Sequence, residues 1–78
     1  MEDEKILEKL QDIMIKSFNQ GDITMETNIR DDLDLDSLDF VDLILEIEET
    51  WGISIPDDVA QSFTTVKDVI EYIKKENI

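Results

Sequence analysis

Apolar side chains recur at helical spacing in three separate stretches of this 78-residue chain, and a helical bundle is the simplest way to bury them together. Ile6, Leu7, Leu10, Ile13 and Met14 mark one face of a first helix, from about Asp3 to Phe18. It is expected to stop at Asn19-Gln20-Gly21, where Gly21 suits a C-cap. A second helix is expected from Asp36 or Ser37 to near Trp51-Gly52. Ile53-Ser54-Ile55-Pro56 reads as extended, because Pro56 breaks any helix before it. Asp57 to Ser62 can form one or two turns, with acids at the positive end. Thr65-Val66-Lys67-Asp68 resembles a capping box with Asp68 at N3, and Val66, Val69, Ile70 and Ile73 continue it as a last amphipathic helix. That helix should finish near Lys74-Lys75, whose charge suits a C-terminus. Between the first two helices runs a long connection with Ile23, Met25, Ile29 and Leu33 spaced as anchors over a core. A loop of that length in a small domain is usually functional. The expected fold is therefore all-α: a small four-helix bundle of three main helices and a short one, with a long loop between helices 1 and 2. At this length residues 1–78 should make a single domain with one small core.

Charge narrows the function. Twenty-one acidic residues face 7 basic ones, a formal net charge of −14. Binding phosphates needs clustered Lys or Arg, so nucleic acid is not expected as a partner, nor is an anionic membrane surface. Partners with basic patches are the natural complement, and mutual repulsion favours a monomer. The chain has no Cys and no His, which excludes disulfides, zinc–thiolate sites and Ser-His or Cys-His catalysis. Met1-Glu2-Asp3-Glu4-Lys5 lacks the apolar run of a signal peptide, and no stretch approaches a transmembrane span. A cytoplasmic location is expected.

The second helix carries two apolar stripes. With Ser37 at zero and about 100° per residue, Phe40, Leu43, Ile44, Ile47 and Trp51 fall in one arc from about 240° to 340°. That is a core stripe. Leu38, Val41 and Leu45 fall between about 40° and 100°. They lie beside Asp39, Asp42, Glu46 and Glu49, with Glu48 on their other flank. A central helix buried more widely would account for both stripes. A docking face with an apolar centre and a charged rim would too. Eleven acids and no Lys or Arg lie from Asp31 to Thr65, and like charges along one helix cost stability, which favours a face made for a cationic partner.

Ser37 stands within Asp34-Leu35-Asp36-Ser37-Leu38-Asp39, at the expected start of that helix. Its plainest role is an N-cap, since Ser and Asp are common caps. Calcium is a second reading, because Asp32, Asp34 and Asp36 occupy positions 1, 3 and 5 of an EF-hand loop begun at Asp32. Position 6 is then Ser37 instead of Gly, and position 12 is Leu43 instead of Glu, so no metal site is assigned beyond loose divalent binding. A nucleophilic Ser37 fails for want of a base or a Gly-rich oxyanion turn. No catalytic residue is assigned, and the chain reads as no enzyme. It is a hydroxyl that another enzyme can modify, beside a helix a partner can read.

Asp36-Ser37-Leu38-Asp39, Val41-Asp42-Leu43, Glu48-Glu49, Trp51-Gly52-Ile53-Ser54-Ile55-Pro56-Asp57 and Thr64-Thr65-Val66-Lys67-Asp68-Val69-Ile70-Glu71-Tyr72-Ile73 together resemble the acyl carrier proteins. The resemblance runs in register from Asp31 to Ile73. The tripeptide Asp-Ser-Leu alone is weak; its distance to Ile-Pro-Asp and to the Thr-Thr-Val helix start makes the match specific. It implies that Ser37 carries 4′-phosphopantetheine, attached from coenzyme A by a phosphopantetheinyl transferase, and that the cofactor's thiol holds acyl groups as thioesters. It implies a recognition surface of Asp36, Leu38, Asp39, Val41, Asp42, Leu45, Glu48 and Glu49, meeting basic patches on synthases, reductases and acyltransferases. It further implies an acyl cavity lined by Phe40, Ile44, Ile47, Ile55 and Ala60.

A phosphodiester near a helix N-terminus gains from free N–H groups and the dipole, whereas Asp36 and Asp39 oppose it in charge. Their expected role is recognition, or help in binding Mg²⁺ for the transferase. Three positions depart from the family pattern. Asp34 replaces the usual Gly, and Asp tolerates φ > 0 better than most residues. Trp51 replaces the usual Phe, and Glu46 stands where a small residue is common. The expected role is a carrier of acyl thioesters in dissociated (type II) fatty acid biosynthesis. The alternatives are a carrier for a specialised polyketide, peptide or D-alanyl pathway, or an unmodified acidic protein-interaction domain.

Overall fold

The computed structural model describes residues 2–33 and 35–76. Their elements are α1 (Asp3–Phe18), α2 (Ser37–Trp51), α3 (Asp57–Ser62) and α4 (Val66–Glu76). No strand occurs among the described residues; Asn28 and Thr65 form one isolated antiparallel bridge. The all-α bundle with one short helix and a long α1–α2 connection is thus the fold observed.

Each helix buries the stripe its periodicity marks. Ile6, Leu10 and Met14 of α1 meet Leu43, Ile44 and Ile47 of α2 and Val66, Val69, Ile70 and Ile73 of α4 in one core. Burying an aliphatic side chain of this size stabilises by about 1.5–3 kcal/mol, so this cluster is the main source of stability in so short a chain. Ile47, Ile70 and Ile73 have no accessible surface. The 19–36 connection adds Ile23, Ile29 and Leu33 to the core, with Met25 half-buried beside them. The aperiodic apolar residues are anchors, as their spacing predicts.

That connection also completes α4. The first N–H groups of a helix lack partners within it. Here Val66 N–H donates to the Thr27 carbonyl and Lys67 N–H to that of Met25, both at 2.9 Å. The Asp68 carboxylate accepts from the N–H groups of Thr64 (3.0 Å) and Thr65 (3.1 Å), while Asp68 N–H reaches back to the Thr65 hydroxyl at 3.4 Å. This is the capping box with Asp in place of Glu. The two backbone donors hold the Asp68 carboxyl below its ordinary range. At the other end of α4, Lys74 Nζ lies 2.7 Å from the Asp3 carboxylate and ties α4 to α1. That hydrogen bond raises the Lys74 pKa.

The two long helices before Pro56 end differently. Gly52 is left-handed at φ 65°, and Ile53 N–H donates to the Glu48 carbonyl, closing α2 as in a Schellman motif. α1 is closed not by Gly21 but by Asn19, left-handed at φ 56°, with Gln20 N–H bonded to the Met14 carbonyl. Asn adopts that conformation more readily than most residues, so the helix stops after Phe18, as expected, with Asn19 and not Gly21 as its cap. Gly21 answers to space: a Cβ there would collide with the Ile15 side chain.

Candidate functional site

Ser37 is the first residue of α2, and the cap duty falls to Asp36 before it. Asp36 is extended at φ −87°, and its Oδ1 accepts the N–H of Asp39 at 2.8 Å. The Ser37 hydroxyl is therefore not needed to start the helix, and its side chain is exposed. It borders a cleft of about 520 Å³ whose walls are Ile29, Arg30, Leu35, Asp36, Phe40, Val41 and Gln61. The conformation at Asp34, where the family pattern has Gly, lies outside the described residues. Among the described residues no group of acids is arranged to hold a metal ion. Asp36 and Asp32 instead accept hydrogen bonds from backbone N–H groups.

A second cleft, of about 280 Å³, runs between α2 and α3 and is walled by Phe40, Val41, Ile44, Leu45, Ile55, Ala60 and Gln61, with Glu48 and Asp57 at its edge. Phe40, Val41 and Gln61 border both clefts, so the two adjoin along these shared walls. Four of the five residues expected around an acyl chain, Phe40, Ile44, Ile55 and Ala60, meet here. Ile47 lies deeper, against a void of only about 10 Å³ between α1, α2, α4 and the long connection. It stands about 60° round the helix from Ile44, on the side of α2 that faces Leu10 and Met14 of α1.

The outer stripe of α2 is open. Leu38 is 76% exposed, Val41 53% and Leu45 52%. Asp42 and Glu49 are exposed beside them, and Asp39 is half-buried. The eight residues expected for partner recognition divide in two. Leu38, Val41, Asp42, Leu45 and Glu49 face outward. Asp36 is engaged as a cap, Asp39 lends its N–H to that cap, and Glu48 turns inward, its Oε2 accepting the Ile55 N–H at 2.8 Å. Glu48 thereby pins the extended segment after Gly52 to α2. Glu46 also bends back: its Oε1 accepts from the Ser17 hydroxyl at 2.7 Å, and its Oε2 is buried without a hydrogen-bond partner among the described residues.

Sequence reasoning overlooked Arg30. It reaches across the bundle: Nε donates to the Phe63 carbonyl at 3.1 Å, Nη2 donates to that of Gln61, and the guanidinium carbon lies 5.4 Å from the centre of the Phe40 ring. The available signal was its isolation, as the one positive side chain between Lys16 and Lys67.

Comparison with known proteins agrees with this geometry. The family model described as the phosphopantetheine attachment site matches residues 4–73. The chain is similar to an acyl carrier protein of Rubrobacter xylanophilus, 41% identical over 75 residues that cover 94% of this chain and 93% of the relative. An acyl carrier protein of Clostridium perfringens is 47% identical over 70 residues, covering 87% and 92%. Among solved structures, the acyl carrier protein of Thermotoga maritima superposes with a TM-score of 0.85 at 26% identity, over 97% of this chain and 91% of that one. That of Enterococcus faecalis gives 0.78 at 32% identity, over 97% and 99%. The matched family is one of carriers, not catalysts, whose members bear covalent 4′-phosphopantetheine. With an exposed serine opening its second helix beside two adjoining clefts, the chain belongs to the phosphopantetheine-bearing acyl carrier protein family.

Proposed function

We propose that this protein carries acyl intermediates as thioesters on 4′-phosphopantetheine esterified to Ser37, in dissociated fatty acid synthesis. The observation that carries the assignment is the exposed Ser37 at the head of α2, relieved of capping by Asp36 and opening onto a cleft that adjoins an apolar groove. In the modification, Ser37 Oγ bonds to the phosphorus of coenzyme A's pantetheine-side phosphate. The bond to the departing 3′,5′-bisphosphate breaks, and the serine proton passes to a base of the transferase. The bound arm supplies the thiol that a chain without cysteine lacks. Phe40, Ile44, Ile55 and Ala60 then offer the acyl chain an apolar lining, Ile47 forms the floor beneath them, and cargo of growing length must part α2 from α3.

Recognition falls to Leu38, Val41 and Leu45 as the apolar centre, with Asp42 and Glu49 as the outer rim and Asp36, Asp39 and Glu48 at its edges. Their complement is a basic patch on the transferase and on acyl-processing synthases, reductases and acyltransferases. The nearly full-length match to relatives called acyl carrier protein supports a single carrier domain over residues 1–78. No described helix is long and apolar enough to cross a membrane. With the net charge of −14, this fits a cytoplasmic monomer meeting its enzymes by diffusion.

The test is intact-protein mass after incubation with coenzyme A, Mg²⁺ and a broad-specificity phosphopantetheinyl transferase. Wild type should gain one phosphopantetheine, and Ser37→Ala, folded as before, should gain none. Modification of the alanine variant would reassign the site. No gain in wild type with several transferases would leave an unmodified acidic interaction domain as the better reading.

A further inference from the structure

The cleft beside Ser37 holds a cation that the carrier reading leaves unused. Arg30 is placed by tertiary contacts alone: carbonyls of Gln61 and Phe63, at the end of α3, and the ring of Phe40 on α2. A guanidinium has five N–H donors, and these two bonds leave three. Among the described residues its hydrogen bonds go to neutral carbonyls and none to a carboxylate, so its charge is not cancelled by a bonded partner. Phe40 stands three residues from Ser37 on α2, a spacing that makes their side chains neighbours at about 5–6 Å. Arg30, Phe40 and Ser37 accordingly border one cleft.

From this arrangement we propose that Arg30 is the counter-cation of the phosphodiester on Ser37, fixing the base of the arm and directing it toward the α2–α3 groove. The inference rests on the carrier reading above. The physical need is local: Asp31, Asp32 and Asp36 already crowd this segment, and the phosphodiester adds a further negative charge. Arginine suits the task because its planar fork can meet two phosphate oxygens at once and stays charged at any working pH. Two of its bonds are made before the phosphate arrives, so little side-chain freedom remains to be lost. Phe40 and Gln61, which hold the guanidinium, are also walls shared by the Ser37 cleft and the groove. Arg30 therefore stands where an arm rooted on Ser37 must turn to enter it.

A purely structural Arg30, strapping the long connection to α3, would stabilise modified and unmodified protein alike. The experiment separates the two roles by treating wild type, R30Q, R30K and the charge-matched control K16Q with coenzyme A and transferase, and confirming each product by mass. Two resonances are then read: the ³¹P line of the phosphodiester, and the side-chain Nε–H of Arg30 in ¹⁵N-labelled wild type before and after modification. The expected result is a shift of Arg30 Nε–H on modification. The ³¹P line should be shared by wild type and K16Q, displaced in R30Q and intermediate in R30K. Modification should also lower the Tm of R30Q more than that of wild type at low salt, with the gap closing as salt is added. An unmoved Arg30 resonance with one common ³¹P line in fully modified proteins overturns the role of Arg30 and leaves the carrier reading standing. A wild type that gains no mass removes both. The wild-type resonance decides the matter even if R30Q folds poorly.

Discussion

α2 and α4 are both amphipathic helices, put to opposite uses. α4 has one apolar stripe and buries all of it, through Val66, Val69, Ile70 and Ile73. Its first turn is closed by Asp68, its last carries Lys74 and Lys75, and it is tied to α1 by the Lys74–Asp3 pair. α2 buries Leu43, Ile44 and Ile47 but leaves a second stripe open, and has no cation in its last turn. Asp39 and Asp42, Asp42 and Glu46, and Glu46 and Glu49 are like charges at three- or four-residue spacing, each pair costing about 0.2–0.5 kcal/mol. Most choices along α4 favour the folded state. Along the outer face of α2 several oppose it, which is what a surface shaped for partners looks like.

The contrast is sharpest in truncations. Ile70→Ala on α4 should lose about 2–5 kcal/mol in denaturant unfolding, because it empties a site with no accessible surface. Leu45→Ala on the outer stripe of α2 should stay within about 0.5 kcal/mol of wild type and slow transferase modification instead. A large stability loss from Leu45→Ala would mean that the stripe serves the core. Next in size, Asp42→Lys should slow modification on the order of tenfold at low salt while leaving the fold intact, with the deficit shrinking as salt rises. Rates indifferent to salt would argue against an electrostatic docking face.

Asp68→Ala should cost about 1 kcal/mol by removing the α4 cap. Its pH dependence follows from the lowered folded-state pKa. The unfolded carboxyl binds its proton first as pH falls, near the ordinary value of about 3.9, so the contribution is complete above that range and disappears below it. The Tm difference between wild type and Asp68→Ala should accordingly be constant from neutral pH to about 5 and shrink below about 4. A difference that widened in acid would contradict the capping account. The smallest effect should be a gain. Glu46→Ala removes a buried unpartnered oxygen and two like-charge contacts at the expense of the Ser17 bond, and should raise stability by up to about 1 kcal/mol. A drop in Tm would show that the Ser17 bond outweighs them.

Much of this was readable in the chain because the interactions concerned are local. The apolar period sets which face of each helix is buried. The Asp36-Ser37 start, the left-handed Gly52, the break at Pro56 and the Thr65–Asp68 box all act within a turn or two. The second stripe of α2 could be seen in the wheel, and the unbroken run of acids around it favoured the open face that the structure shows. The end of α1 at Phe18 was legible, but Asn19 and Gly21 are both acceptable caps, and only the structure gives the cap to Asn19 and ties the glycine to the Ile15 contact. Ile47 could not be told from Ile44 by pattern, since both lie in the core arc and only the placement of α1 and α3 separates groove from floor.

By itself, then, the sequence determined the helices, the serine at the head of α2, the excess of negative charge and the absence of thiol or imidazole chemistry. These follow from residue type and from spacing of four residues or fewer. The tertiary structure decided that Glu48 turns in to Ile55, that loop carbonyls complete α4, that the two clefts meet at Phe40, and that Arg30 spans 31 and 33 residues to reach Gln61 and Phe63. Such bonds carry no local signature, because any carbonyl can accept and only the packing of the bundle selects which one is near.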